Sequence, residues 1–136
     1  MDYTLDATVD GDVDAVRARV VEALEAEGFG VMTEVDVQAA FDEQLGVEFR
    51  RYDILGACAP PLAHEALQTD PALGALLPCN VVVAETDDGR VVVRAVDPER
   101  LLEVADNDDL DAVAREVRER FERVLSAVTA DGATAN

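Results

Sequence analysis

The chain has 136 residues, 30 of them Asp or Glu and 11 Lys or Arg, for a formal net charge of −19. No basic stripe exists to displace counterions from nucleic acid or to dock on anionic lipid, which excludes both as expected partners. Hydrophobic residues make up 49% of the chain, too many for a disordered acidic tail, and the length suits one domain that buries a core without a disulfide or a metal.

Residues 3–9 alternate and read as a strand. Asp12 can cap a helix in which Val13, Val16, Val20 and Leu24 recur at helical spacing and Gly28 is the stop. Phe29 to Val35 reads as a second strand. Asp36 can cap a short helix with Val37, Ala40, Phe41 and Leu45 on one side, ended by Gly46. Residues 48–56 give a third strand. Pro60 and Pro61 open a helix to about Leu67, since proline is accepted in a first turn, and Asp70 to Gly74 reads as a turn.

Asn80 to Thr86 and Arg90 to Val96 are Val-rich runs joined by Asp87-Asp88-Gly89, a short hairpin signal. Asp97-Pro98 can start a helical turn from Glu99 to Val104. A long amphipathic helix follows from about Leu110 to Val128, with Val113, Val117, Phe121 and Leu125 on its apolar stripe. On its wet faces Asp111–Arg115, Glu116–Arg120 and Glu119–Arg123 are i,i+4 pairs. The order β-α-β-α-β-α-β-β-α implies an α+β single domain over residues 1–130. Its mixed, largely antiparallel sheet has about five strands with helices packed on it, and 131–136 form a disordered tail.

Every basic residue is arginine, and the surplus carboxylates are spread along the whole chain rather than gathered in a tail. Such self-repulsion opposes a compact state in dilute buffer and is screened in molar salt. The composition therefore points to a halophile's KCl-rich cytoplasm, and the acidity reflects solvent rather than partner. No apolar run approaches a membrane span, and Met1 to Leu5 lacks the basic and apolar regions of a signal peptide, so a cytoplasmic location is expected.

The segment from Gly56 to Asn80 holds what chemistry is legible. Cys58 falls between a strand and a helix start, where unpaired N–H groups and the helix dipole would stabilise a thiolate. Cys79 follows Pro78 and leads into the next strand, so the two thiols could share one pocket. A reactive thiol or dithiol, a soft-metal site, an apolar or anionic ligand pocket and two small packed side chains are all consistent with this pattern. His64 sits at the edge of its helix; it is either a surface histidine or a third metal ligand beside Cys58 and Cys79. Arg50 and Arg51 are an adjacent cationic pair, and either internal ion pairs or an anionic ligand at Arg51 would use them. Asn80 could contact a ligand or tie down its turn. No acid–base pair, catalytic triad, dinucleotide loop or cofactor motif stands out, so catalytic residues and cofactor remain unassigned.

The run Phe49-Arg50-Arg51-Tyr52-Asp53-Ile54-Leu55-Gly56-Ala57-Cys58-Ala59-Pro60 resembles the signature of domain-of-unknown-function family 302. So do Ala66-Leu67, Asp70-Pro71, Gly74 and Leu76-Leu77-Pro78-Cys79-Asn80-Val81-Val82-Val83, and the chain is similar to that family, as a haloarchaeal-type member, from about residue 3 to Leu102. The family usually reads Cys-Asn-Pro where this chain has Cys58-Ala59-Pro60, so any role of that Asn side chain is lost at Ala59. The resemblance implies a compact α+β domain, often a homodimer, with no established reaction, and members joined to redox or sulfur-handling domains. Three expectations follow: a small-ligand or soft-metal binding module around Cys58 and Cys79, with Asn80 and Arg51 as further contacts; a thiol-redox enzyme or sensor using the same two cysteines; and a structural homodimer without chemistry.

Overall fold

The computed structural model describes residues 2–131. Its elements run β1 (Thr4–Val9), α1 (Val13–Ala26), β2 (Gly30–Asp36), α2 (Val37–Leu45), β3 (Tyr52–Cys58), α3 (Pro60–Thr69), a 3₁₀ turn (Pro71–Leu76), β4 (Cys79–Glu85), β5 (Val91–Val96), α4 (Pro98–Glu103), a second 3₁₀ turn (Asp108–Leu110) and α5 (Asp111–Asp131). The α+β class and the element order are those expected. Aspartates set the helix starts: Asp12 accepts from the Ala15 N–H at 2.8 Å, Asp36 from Ala39 at 2.9 Å and Asp97 from Glu99 at 3.0 Å. Each occupies a first-turn donor that the helix itself leaves unpaired. Gly46 ends α2 with φ of +65°, a conformation that costs a side-chain-bearing residue energy.

The five strands form one sheet in the order β1-β5-β4-β3-β2, with every neighbouring pair antiparallel. The sheet is thus uniformly antiparallel, and its two edge strands, β1 and β2, run in the same direction. Alternation assigns one face to the core. Leu55, Val81, Val83, Val91, Val93 and Ala95 face α1 and α5 and are buried, together with Val9. The expected stripes of α1 (Val13, Val16, Val20, Leu24) and α5 (Leu110, Val113, Val117, Phe121, Leu125, Val128) are buried against them. Phe29 and Phe121 close this core with ring centroids 4.9 Å apart.

Several boundaries differ from expectation. β3 begins at Tyr52 rather than residue 48, because Val47 to Arg51 form a loop that bonds sideways: Gln38 donates to the Phe49 carbonyl, and the Arg51 N–H to Glu85. The stretch after Asp70 winds into a 3₁₀ turn capped by the Asp70 carboxylate. The final helix continues to Asp131; the remainder of the expected tail, 132–136, lies outside the described residues. Of the α5 pairs, Glu116–Arg120 forms at 2.8 Å, whereas Arg123 reaches across to Glu27 at 2.9 Å and so ties α5 to the end of α1.

The apolar side of α2 does not enter the core. No α2 residue is buried, and Leu45 is 67% exposed. The helix instead lies beside an aromatic cluster in which Phe49 contacts both Phe41 and Tyr52, with centroids 5.0 and 6.1 Å apart. Val35 and Val47 are also exposed near this edge of the sheet.

Candidate functional site

A cavity of about 370 Å³ opens where β3 ends, β4 begins and α3 crosses the end of the sheet. The sheet contributes Ala57, Cys58 and Cys79; α3 contributes Leu62, Ala63, Ala66 and Leu67; the 3₁₀ turn brings Leu73, and α5 brings Val113 and Val117. Phe29 and Leu102 complete the deeper wall, while Met32, Thr33 and Pro78 form its outer edge. Among the described residues, Thr33 and the two cysteines are the only polar ones lining it, and none that lines it is charged. In a chain of net charge −19, a charge-free wall is a specific feature.

Strand register brings the cysteines together. Ala57 is paired with Cys79, so Cys58 lies one residue along the neighbouring strand. Strict alternation would send the two side chains to opposite faces. Both residues nonetheless border the cavity, which lies at the end of the sheet where β3 gives way to α3. The two thiols share one pocket in that sense.

Their protonation runs opposite to the activated thiol expected at Cys58. Burial pushes the Cys58 thiol up from its ordinary value. Burial, reinforced by the nearby Cys58 charge, pushes Cys79 up to about 11. The helix start offers little relief. Pro60 and Pro61 occupy the first turn of α3, and neither has an N–H to donate. Ala59 is the cap residue and makes no side-chain cap bond, so the family's Asn would fall on a helix cap here. We therefore expect both thiols to alkylate slowly at pH 7 in molar KCl. Iodoacetamide incorporation, followed peptide by peptide, should rise about tenfold per pH unit up to pH 9, with Cys58 ahead of Cys79. A plateau for Cys58 below pH 8 would show an activated thiolate instead.

The other sequence candidates lie elsewhere. His64 is exposed on α3 and is absent from the cavity wall. Among the described residues no three His, Cys, Asp or Glu side chains group to hold a metal ion, which favours the surface-histidine alternative for His64. Asn80 pairs with Gly56 in the ladder and is exposed; as the neighbour of Cys79 on β4, it points to the opposite face. Arg51 binds Asp14 at 2.7 Å, and Arg50 binds Asp87 at 2.7 Å, which fits the internal ion-pair alternative for both. The Asp14 hydrogen bond raises Arg51 further and holds the Asp14 carboxyl below its usual range.

Sequence reasoning missed Asp53. It is buried beside Arg17 and Arg51 at 3.6 and 3.7 Å, its Oδ1 has no hydrogen-bond partner, and burial raises its pKa. Its place in β3 gave no signal, because a single Asp in a strand reads as a solvent-facing residue. The apolar cavity residues were equally hidden, since Phe29, Leu73 and Val117 meet only through the tertiary fold.

These features define a small α+β domain with an antiparallel sheet, α1 and α5 packed on its core face, and an apolar, thiol-lined cavity at the sheet's end. The chain belongs to the family described as domain of unknown function DUF302, whose model matches residues 5–128. It is similar to the crystal structure of an uncharacterized conserved DUF302 protein from Bacillus stearothermophilus, with TM-score 0.87, 25% identity, and coverage of 94% of this chain and 99% of that one. No curated protein matches the chain. Among the described residues, no helix is long and apolar enough to cross a membrane.

Proposed function

We propose that the domain is a binding module for a small, uncharged, apolar ligand held in the cavity beneath α3. The carrying observation is the wall itself: about 370 Å³ of space bounded by aliphatic and aromatic groups, with Thr33, Cys58 and Cys79 as its sparse polar points. That volume lies in the range of small-molecule sites. A charged ligand entering such a wall would lose hydration without gaining a partner. The soft-metal alternative is less favoured, because it requires both thiols to ionise in an apolar wall that opposes ionisation.

Titration with N-phenyl-1-naphthylamine, a neutral fluorescent probe, tests this reading in molar KCl. Saturable binding with a Kd on the order of 10 µM is expected for a ligand of that size. Ala63 is half-buried and lines the cavity, so Ala63→Phe should fill it. The variant is expected to lose the probe while keeping the wild-type melting temperature. No saturable binding, or binding that Ala63→Phe leaves unchanged, would remove the proposal.

A further inference from the structure

Resting on the cavity reading, we propose that Pro60–Leu77, comprising α3 and the 3₁₀ turn, is a lid that lifts from the body as one unit to pass ligand and closes over it. Its attachment differs from that of every other α-helix. α1 is tied to the body by Arg51–Asp14 at 2.7 Å, α2 by Gln38 to the Phe49 carbonyl at 2.9 Å, α4 by Arg118–Glu99 at 3.7 Å and α5 by Arg123–Glu27 at 2.9 Å. Among the described residues, nothing from Pro60 to Leu77 hydrogen-bonds or ion-pairs with the chain beyond Ala59, whose carbonyl accepts from Ala63 at the hinge itself. The lid rests on the body through apolar contact. Its buried residues are Ala66 and Leu73, and both line the cavity. α1, by contrast, buries Val13, Val16, Val20, Ala23 and Leu24. Lifting the lid therefore exposes far less apolar surface than displacing α1, and it breaks no polar bond to the body.

Within the lid the bonding is continuous. The Asp70 N–H closes α3 on the Ala66 carbonyl at 2.9 Å, while its own carbonyl and carboxylate accept from Leu73 at 3.0 Å and Ala72 at 3.1 Å and so start the 3₁₀ turn. Leu67 lies against Gly74 and packs the helix on that turn. The two ends of the lid are held close together. Cys58 and Cys79 both belong to the sheet, where Ala57 pairs with Cys79, so the lid leaves and rejoins the sheet on neighbouring strands. At its ends stand Ala59, with φ −100° and ψ 102°, and Leu77, with φ −108° and ψ 158°. These are extended positions at element boundaries, the kind that absorbs the angle change of a hinge. The outer side of α3, with His64, Glu65 and Gln68, is exposed and keeps its water in either position.

Lifting has a measurable consequence. α3 has 10 residues. Isolated helices shorter than ~12–15 residues are marginal in water. Detached from the body, α3 therefore melts, and its amides exchange with solvent.

Hydrogen exchange of the full chain in molar KCl, read by mass spectrometry, tests the lid without any ligand. Amides from Ala63 to Leu77 should exchange at least ~100-fold faster than those of α1 and β4. Exchange as slow as in α1 would overturn the lid. Val20 is buried in the core and absent from the cavity wall, so it stays packed when only the lid lifts. Val20→Ala should thus speed exchange in β4 and leave the lid's rate unchanged. Equal acceleration in both would show that the segment opens only with the whole domain, and the lid would fall. N-phenyl-1-naphthylamine at about ten times its Kd should slow lid exchange roughly tenfold, because the closed lid holds the bound probe. If the probe binds and lid exchange does not change, ligand does not pass beneath the lid and the gating role is overturned. If the lid exchanges fast but no probe binds, the local opening stands and its gating role falls together with the cavity reading.

Discussion

Gly56→Ala is expected to cost about 3 kcal/mol and to lower the melting temperature by roughly 10 °C, measured by calorimetry in molar KCl. Gly56 sits on β3 under a crossing of two side chains. A Cβ built there would overlap Thr33 Oγ1 and come within 2.6 Å of Pro78 Cγ. The irregularity in β2 pairing between Val31 and Thr33 sets Thr33 opposite Gly56, and Pro78 sits just ahead of β4 on its other side. The two obstacles differ in kind. The Thr33 hydroxyl can move to another rotamer, whereas the proline ring cannot yield without its backbone. Combining Gly56→Ala with Thr33→Ala should therefore recover only part of the loss. An unchanged melting temperature for Gly56→Ala would show that the cavity rim accommodates the methyl group freely. The result bears on function, because Gly56 belongs to the signature run: packing at the rim of the cavity accounts for its small size without any chemistry.

Where one physical rule dominates, the sequence is a good guide. The stripe from Leu110 to Val128 has a single amphipathic period, and its residues are buried as that period requires. The Val-rich hairpin and the Asp caps are equally local, and they form as read. Cys58 shows how two local rules compete. Its position before a helix suggests a stabilised thiolate, but the same sequence places Pro60 and Pro61 where the stabilising N–H donors would stand, and burial then dominates. The prolines are plain in the sequence; the depth of burial that decides the outcome is not. The α2 face misleads for another reason. Val37, Phe41 and Leu45 have the spacing of a core helix, yet periodicity says which residues share a side, not what that side meets. The cavity needed the fold itself: strand register sets Cys58 beside Cys79, and the chain's return through α5 brings Val117 over them.

Transfer from molar KCl to dilute buffer is expected to unfold the domain, an effect larger than that of Gly56→Ala. The chain carries −19 formal charges, and most of its arginines are already committed to local pairs such as Arg94–Asp6 at 2.6 Å and Arg90–Asp10 at 2.8 Å. The surplus carboxylates must therefore repel one another across the surface. Folding gathers them into a body of radius roughly 18 Å, whereas the unfolded chain spreads them over about twice that radius. With a screening length of ~3 Å at 1 M salt and ~30 Å at 0.01 M, the repulsion opposing folding grows by on the order of 10 kcal/mol between the two conditions. That is comparable to the whole stability of an ordinary domain, about 5–15 kcal/mol. Exposed ion pairs strengthen as salt falls, but each contributes roughly 0–1 kcal/mol and cannot offset a term of this size. The melting temperature should therefore fall steadily as KCl is diluted, and the helical circular dichroism should collapse in the millimolar range. A divalent cation at equal ionic strength should protect at least as well as KCl, because the requirement is for screening. A melting temperature unchanged between molar KCl and dilute buffer would show that the acidic surface tolerates its own charge, and the high-salt origin inferred from composition would fall with it.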